Sequence, residues 1–137
     1  MAGHILHVGK HAGQGQAMKL LNNFLSAAAM AASSEAIAFG LEQGLDLETM
    51  LEVLNVSTGR NTATSDKFPR RILTGSYDSG FQTALMAKDM GLYLDAVGDA
   101  GTADRIGRVL ADLWQRADVA LPRSDFTRIY DFVRSGS

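Results

Sequence analysis

A chain of 137 residues, 46% hydrophobic and 20% charged, holds one domain's worth of core and needs no staples to fold. Its net charge of −2 excludes a broad basic surface for nucleic acid or an anionic membrane. With no cysteine, neither a disulfide framework nor a thiolate metal site is available.

His4, His7 and His11 are the three histidines, and Gly9 and Gly13 interrupt any helix that would align them. No carboxylate stands beside them, so no metal is expected. His4–Val8 reads as a short β-strand ended by Gly9. No later segment offers it a partner, and a lone strand leaves backbone donors and acceptors unpaired. The uninterrupted apolar runs fall short of the ~18 residues a membrane span needs, and the N-terminus lacks a signal-peptide layout. A cytoplasmic setting without a membrane is the expectation.

From Gln14 to about Gln43 no proline intervenes and helix formers dominate, predicting one long helix of roughly 45 Å. Gln16, Lys19, Asn23 and Ser26 form a narrow polar stripe on it. Leu20, Leu21, Phe24, Leu25, Met30, Ile37 and Phe39 cover its other faces, so it is expected to be central and buried. Gly44 is its natural stop. Asp46 then caps a second helix ended by Gly59, and Asn61 caps a short one that stops before Pro69. Residues 74–82 read as a loop, and a helix runs from about Thr83 to Val97. Thr102 opens the next, with Ile106, Val109, Leu110, Leu113, Trp114 and Ala117 on its apolar face. Pro122 closes it and Ser124 caps the last, whose buried side is Phe126, Ile129, Tyr130 and Val133. The predicted class is all-α: a multi-helix domain around one long central helix, with an orphan N-terminal strand.

Three places can carry chemistry. Lys19 and Asn23 stand four apart, one above the other on the long helix. A lysine among apolar neighbours loses solvation, which favours its neutral form, and an asparagine one turn on offers both a donor and an acceptor to a substrate oxygen. The plainer alternative is a surface lysine beside solvated amides. Gly13 and Gly15 resemble the start of a dinucleotide fingerprint, but Met18 occupies the third glycine position and no parallel strand follows. They read instead as a tight strand-to-helix turn that lets another surface approach the backbone. Lys88-Asp89 lies mid-helix, where a lone lysine is ordinarily solvated.

Taken together, the order Gly-x-Gly-x-x-x-Lys-x-x-Asn-Asn, Ser57-Thr58-Gly59-Arg60-Asn61 and Leu85-Met86-Ala87-Lys88-Asp89 resembles the C-terminal domain of the β-hydroxyacid dehydrogenases. The resemblance covers nearly the whole chain. It implies that residues 1–12 are the end of a dinucleotide-binding domain otherwise absent from this chain, and that 13–137 form a helical substrate and dimerisation domain. It implies Lys19 as the catalytic acid/base, Asn23 with Gly13 and Gly15 as the substrate wall, and Lys88 with Phe81 as contacts to NAD or NADP. The implied partners are a small hydroxy acid, a Rossmann domain of the same enzyme and a second copy of the chain; alone, the chain is expected to be inactive. Lys10 departs from the pattern, standing where members often carry proline. The rival readings are a non-catalytic helical dimerisation module and a stand-alone small-ligand bundle.

Overall fold

The computed structural model describes residues 12–135, and these are all-α. α1 (Ala12–Glu42) leads to α2 (Leu47–Leu54), a π-helix (Ala63–Ile72), α3 (Thr83–Ala100) and α4 (Arg105–Ala120). A 3-10 turn (Phe126–Arg128) then runs directly into α5 (Ile129–Arg134). The strand expected at His4–Val8 lies outside the described residues.

α1 follows the predicted span and ends where Gly44 takes a left-handed φ of +86°. Leu20, Ala27, Met30, Ala31 and Ile37 are buried, and the helix packs against α3 and α5. Phe24 stacks on Tyr93 of α3 with centroids 4.3 Å apart. The helix is not buried on every side, however. Leu21, Leu25 and Phe39 are 40%, 62% and 67% exposed, on the face turned away from the buried Leu20, Ala27, Met30 and Ile37. By length and composition α1 also meets the criteria for a membrane-crossing helix, against the expectation from its uninterrupted runs. The central helix of a bundle meets the same criteria, and that is its place here.

α2 begins as predicted, with Asp46 Oδ2 accepting the Thr49 N–H at 2.9 Å. It ends at Leu54 rather than Gly59, because the Ser57 hydroxyl takes the Val53 carbonyl at 2.7 Å and the backbone tightens into short turns. At Gly40 a Cβ would collide with Met50 Sδ, so this glycine lets α2 fold back closely on α1.

The third helix corrects a second boundary. Asn61 caps it as expected, Oδ1 accepting from Ala63 and Thr64 N–H at 2.8 and 3.1 Å. It does not stop at Pro69 but continues to Ile72 as a π-helix. In an i→i+5 ladder the proline's missing N–H would have met the Thr64 carbonyl. That carbonyl instead accepts from Asn55 Nδ2 at 2.7 Å, so the proline leaves no acceptor unpaired there.

α4 starts at Arg105 after Asp104, three residues later than predicted, and it is rolled from its predicted face. Gly107, Leu110, Ala111, Trp114 and Ala117 are buried, while Ile106 and Val109 are exposed. A Cβ on Gly107 would sit 3.3 Å from the Tyr93 ring, so the small Gly107 and Ala111 side draws α3 in and turns Ile106 and Val109 outward.

The final correction concerns Ser124, which does not cap the last helix. Its carbonyl accepts the Thr83 N–H at 2.9 Å and its hydroxyl pairs with Thr83 Oγ1 at 2.8 Å. Asp125 caps the 3-10 turn through the Thr127 N–H at 3.1 Å and the Thr127 hydroxyl. The same carboxylate takes the Ser79 hydroxyl at 2.9 Å and the Gly80 N–H at 3.0 Å. Burial raises its pKa, but the bonds from Thr127, Ser79 and Gly80 outweigh that and hold the carboxyl below the usual carboxylate range.

A carboxyl whose folded pKa is depressed contributes stability above its unfolded pKa and loses it as pH falls through the folded value. Asp125→Ala should therefore cost about 2 kcal/mol at pH 7. The gap to the unsubstituted chain should narrow below a pH of about 4. Urea unfolding at pH 7 and pH 3 checks this; an equal gap at both pH values refutes the linkage.

Candidate active-site face

Lys19, Ser26 and Ser33 recur every seventh residue on α1, with Asn23 one turn beyond Lys19. This is the predicted polar stripe, and it continues further than predicted: Ser33 Oγ accepts from Asn61 Nδ2 at 3.0 Å. The Ser57–Asn61 segment is thereby tied to the same helix face. Lys19 is exposed. The burial expected of it is not supplied by the described residues, since its apolar sequence neighbours sit around the helix rather than over the amine.

Asn23 is half-buried and anchored, its Nδ2 donating to Asp89 Oδ2 at 2.7 Å. Asp89 lies on α3 and is 6% exposed. The amide presents its nitrogen to the Asp89 carboxyl oxygen, and that bond fixes the orientation of the whole group. Its oxygen points away and accepts from Asn22 Nδ2 at 3.3 Å. Of the donor and acceptor expected from Asn23, one N–H is thus committed internally. The second N–H and the remaining lone pair of the oxygen are left.

Beside Asn23 opens a pocket of about 340 Å³ lined by Asn23, Ser26, Lys67, Ser79, Phe81, Met86 and Phe126. Phe81 is held edge-on against Phe126 at 5.7 Å, and Phe126 in turn lies on Trp114 at 6.1 Å. The Phe126 N–H donates to the Phe81 carbonyl at 2.7 Å. Asp125 therefore positions two pocket walls, one through Ser79 and Gly80 and one through Phe126.

The structure brings Asn23 and Phe81 into one pocket, with Lys19 one turn from Asn23 on the same stripe. Lys88 is exposed and adjoins Asp89 in the chain, but it does not line this pocket. Gly13 and Gly15 do not form a turn before the helix. Both lie within the first turns of α1, exposed, with open space where a Cβ would be. Sequence reasoning did not reach Asp89 as the anchor of Asn23, nor Lys67, Ser79, Met86 and Phe126 as pocket walls. The neighbouring Lys88 drew attention to Asp89, but no spacing links Lys67 or Phe126 to Lys19.

A dinucleotide needs a pyrophosphate cradle, which a βαβ unit provides, and the described residues contain no strand.

Residues 13–133 match the family model described as the NAD-binding domain of NADP-dependent 3-hydroxyisobutyrate dehydrogenase. The 3-hydroxyisobutyrate dehydrogenase of Pseudomonas aeruginosa is 35% identical over 143 aligned positions, covering 98% of this chain and 48% of that protein. The 2-(hydroxymethyl)glutarate dehydrogenase of Eubacterium barkeri is 41% identical over 92 positions, covering 67% of this chain and 30% of that protein. The solved structure of the Mycobacterium tuberculosis 3-hydroxyisobutyrate dehydrogenase with L-serine superposes with a TM-score of 0.88 at 32% identity. It covers 98% of this chain and 48% of that one. The chain thus spans about half the length of several curated relatives that it matches.

The fold and these likenesses place the chain in a class whose relatives are dehydrogenases. Within it, the chain belongs to the β-hydroxyacid dehydrogenase family, beside the 3-hydroxyisobutyrate dehydrogenases.

Asp89→Ala should destabilise the chain by about 2 kcal/mol, the scale of losing a buried hydrogen-bond partner. Asp89→Asn, which can still accept from Asn23, should cost less. Chemical denaturation ranks the two, and equal losses would show that the carboxylate does not hold the amide.

Proposed function

We propose that this chain is the C-terminal helical half of an NAD(P)-dependent dehydrogenase that oxidises a small 3-hydroxy acid reversibly to a semialdehyde or keto acid. On this reading residues 13–137 supply the substrate side of the cleft and residues 1–12 end the preceding dinucleotide-binding domain. The observation that carries it is Asn23, locked by a buried carboxylate at 2.7 Å one turn from the exposed Lys19, at the mouth of a pocket edged by Phe81. A buried carboxyl group spent on orienting one amide is a costly arrangement for mere surface decoration.

The dinucleotide, when bound, supplies the hydride acceptor. Lys19 takes the proton of the substrate hydroxyl during oxidation. In the reverse direction its ammonium returns that proton and stabilises negative charge developing on oxygen. The free N–H and the oxygen of Asn23 orient the reacting oxygen against Lys19. Gly13 and Gly15, open on the surface, let substrate approach the start of α1. Lys88 and Phe81 meet the dinucleotide, and covering of the exposed Lys19 by the second domain supplies the desolvation it lacks here. The chain by itself is inactive on this reading.

In the enzyme that joins this chain to its dinucleotide-binding domain, Lys19→Ala should lower kcat by about 10²–10⁴-fold. Its KM for NAD(P) should stay put, whereas Lys88→Ala should chiefly raise that KM. Stopped-flow and steady-state kinetics separate the two, and near-normal turnover by Lys19→Ala sinks the assignment.

One observation favours association as a second role. Leu21, Leu25, Ala32, Ala36 and Phe39 are exposed along one face of α1, an apolar stripe of roughly 27 Å. At its end Phe39 also borders an apolar hollow of about 380 Å³ with Leu45, Met50 and Val53. A second copy of the chain is the occupant proposed here. Sedimentation should then show a dimer that Leu25→Glu converts to monomer; a monomeric parent chain at 100-micromolar-scale loading refutes it.

A further inference from the structure

The proposed reaction leaves Lys67 without a task. It is the only charged side chain among the described residues lining the pocket beside Asn23. Its amine lies 2.9 Å from Asp66 Oδ2, and the side chain keeps 29% of its surface exposed. That ion pair does not neutralise it. Asp66 is shared with Arg70, whose Nε stands 3.3 Å away, and Arg71 adds its field to the same carboxyl. Arg71 in turn is paired with Asp78 at 3.0 Å. Asp66 and Asp78 are thus shared among three cations, Lys67, Arg70 and Arg71.

An ammonium has three donors, and Asp66 uses one, so Lys67 has N–H groups to spare. The carboxyl groups nearest the pocket are occupied. Asp125 is tied to Ser79, Gly80 and Thr127, and Asp89 is tied to Asn23. The rest of the lining includes the apolar Phe81, Met86 and Phe126, the Phe126 ring lying 6.0 Å from the Lys67 amine, and the Ser26 side chain. A cation and a hydroxyl in a pocket with apolar walls match a carboxylate on an aliphatic arm.

The position along α1 says which carboxylate. Ser26 is seven residues beyond Lys19, about 10 Å along the helix axis, and Asn23 lies between them. A substrate whose hydroxyl meets Lys19 and Asn23 sends its far substituent, not its reacting end, toward Ser26 and Lys67.

We propose that Lys67 is a specificity residue that binds a second carboxylate, carried on the arm of the hydroxy acid remote from the reacting carbon. The inference rests on the reading of Lys19 and Asn23 given above. It makes the preferred substrate a hydroxy dicarboxylate rather than a methyl-bearing hydroxy monocarboxylate.

Two probes isolate the arm. 3-Hydroxyisobutyrate and 2-(hydroxymethyl)glutarate share the hydroxymethyl group and adjacent carboxylate, and differ in a methyl against a carboxyethyl substituent. In the two-domain enzyme, kcat/KM should favour the dicarboxylate at least tenfold. Lys67→Met should abolish that preference, mainly through KM, and Lys67→Arg should restore most of it. A ratio between the substrates that Lys67→Met shifts less than threefold overturns the proposal and leaves Lys67 as a partner of Asp66 alone.

Binding separates this proposal from the reaction it rests on. Calorimetric titration of the Lys19→Ala enzyme with glutarate needs no turnover, and Lys67→Met in that background should weaken glutarate at least tenfold. Unchanged glutarate affinity refutes the Lys67 assignment even if Lys19 proves catalytic. A tenfold loss upholds it even if Lys19→Ala turns over normally, which would overturn only the acid/base role.

Discussion

Burying Asp89 constrains everything around it. A carboxyl group 6% exposed within a helical core is costly unless it is hydrogen-bonded, and the partner it finds is Asn23, across the α1–α3 interface. That bond of 2.7 Å ties α1 to α3 at Asn23, on the side of the helix where Leu20, Ala27 and Met30 enter the core. Phe24, next in the chain, then stacks on Tyr93, four residues beyond Asp89, and locks the same interface with apolar area. With α1 tied there, Lys19 and Ser26 sit one turn on either side of the anchored amide.

The second constraint is Asp125, which does for the loops what Asp89 does for the helices. Residues 74–82 form the longest irregular connection among the described residues, and a loop of that kind holds a shape only if its backbone is paired. The Asp125 carboxylate binds Ser79 and Gly80, and the short Gln82–Asp125 bridge joins the two chain segments just before α3 and α5 begin. Phe81 and Phe126 are the side chains that this clamp sets against each other. The pocket's apolar walls are therefore positioned by a polar network rather than by helix packing, and its cation arrives from a third direction, on the π-helix. Asn55 makes that helix possible by satisfying the carbonyl that Pro69 cannot.

Particular residues show how far the sequence could be read. The extent of α1, the Asp46 cap and the Gly44 stop were legible because each is a local rule: propensity, a side-chain oxygen for an orphan N–H, a glycine for a left-handed turn. The errors fell where a distant group overrode a local rule. Pro69 signals a break until Asn55, fourteen residues away, supplies the missing donor. Ser124 looks like a cap until Thr83 claims it, and Ile106 looks like core until Gly107 admits Tyr93. At the site, Lys19 and Asn23 were visible as a pair at i and i+4. Asp89 was visible only as the neighbour of a lysine, and Lys67 was not visible at all.

By itself the sequence determined an all-α chain built on one long helix, the polar stripe on that helix, and the ordered motifs that mark the dehydrogenase family. The first two follow from periodicities and spacings that operate within a few turns of chain, and the third is a resemblance carried by motifs spread from Gly13 to Asp89. Only the tertiary structure decided which way the Asn23 amide faces, which side of α1 stays uncovered, and which cation lines the pocket. Each of those depends on groups dozens of residues apart meeting at hydrogen-bond distance, and one-dimensional spacing carries no record of that.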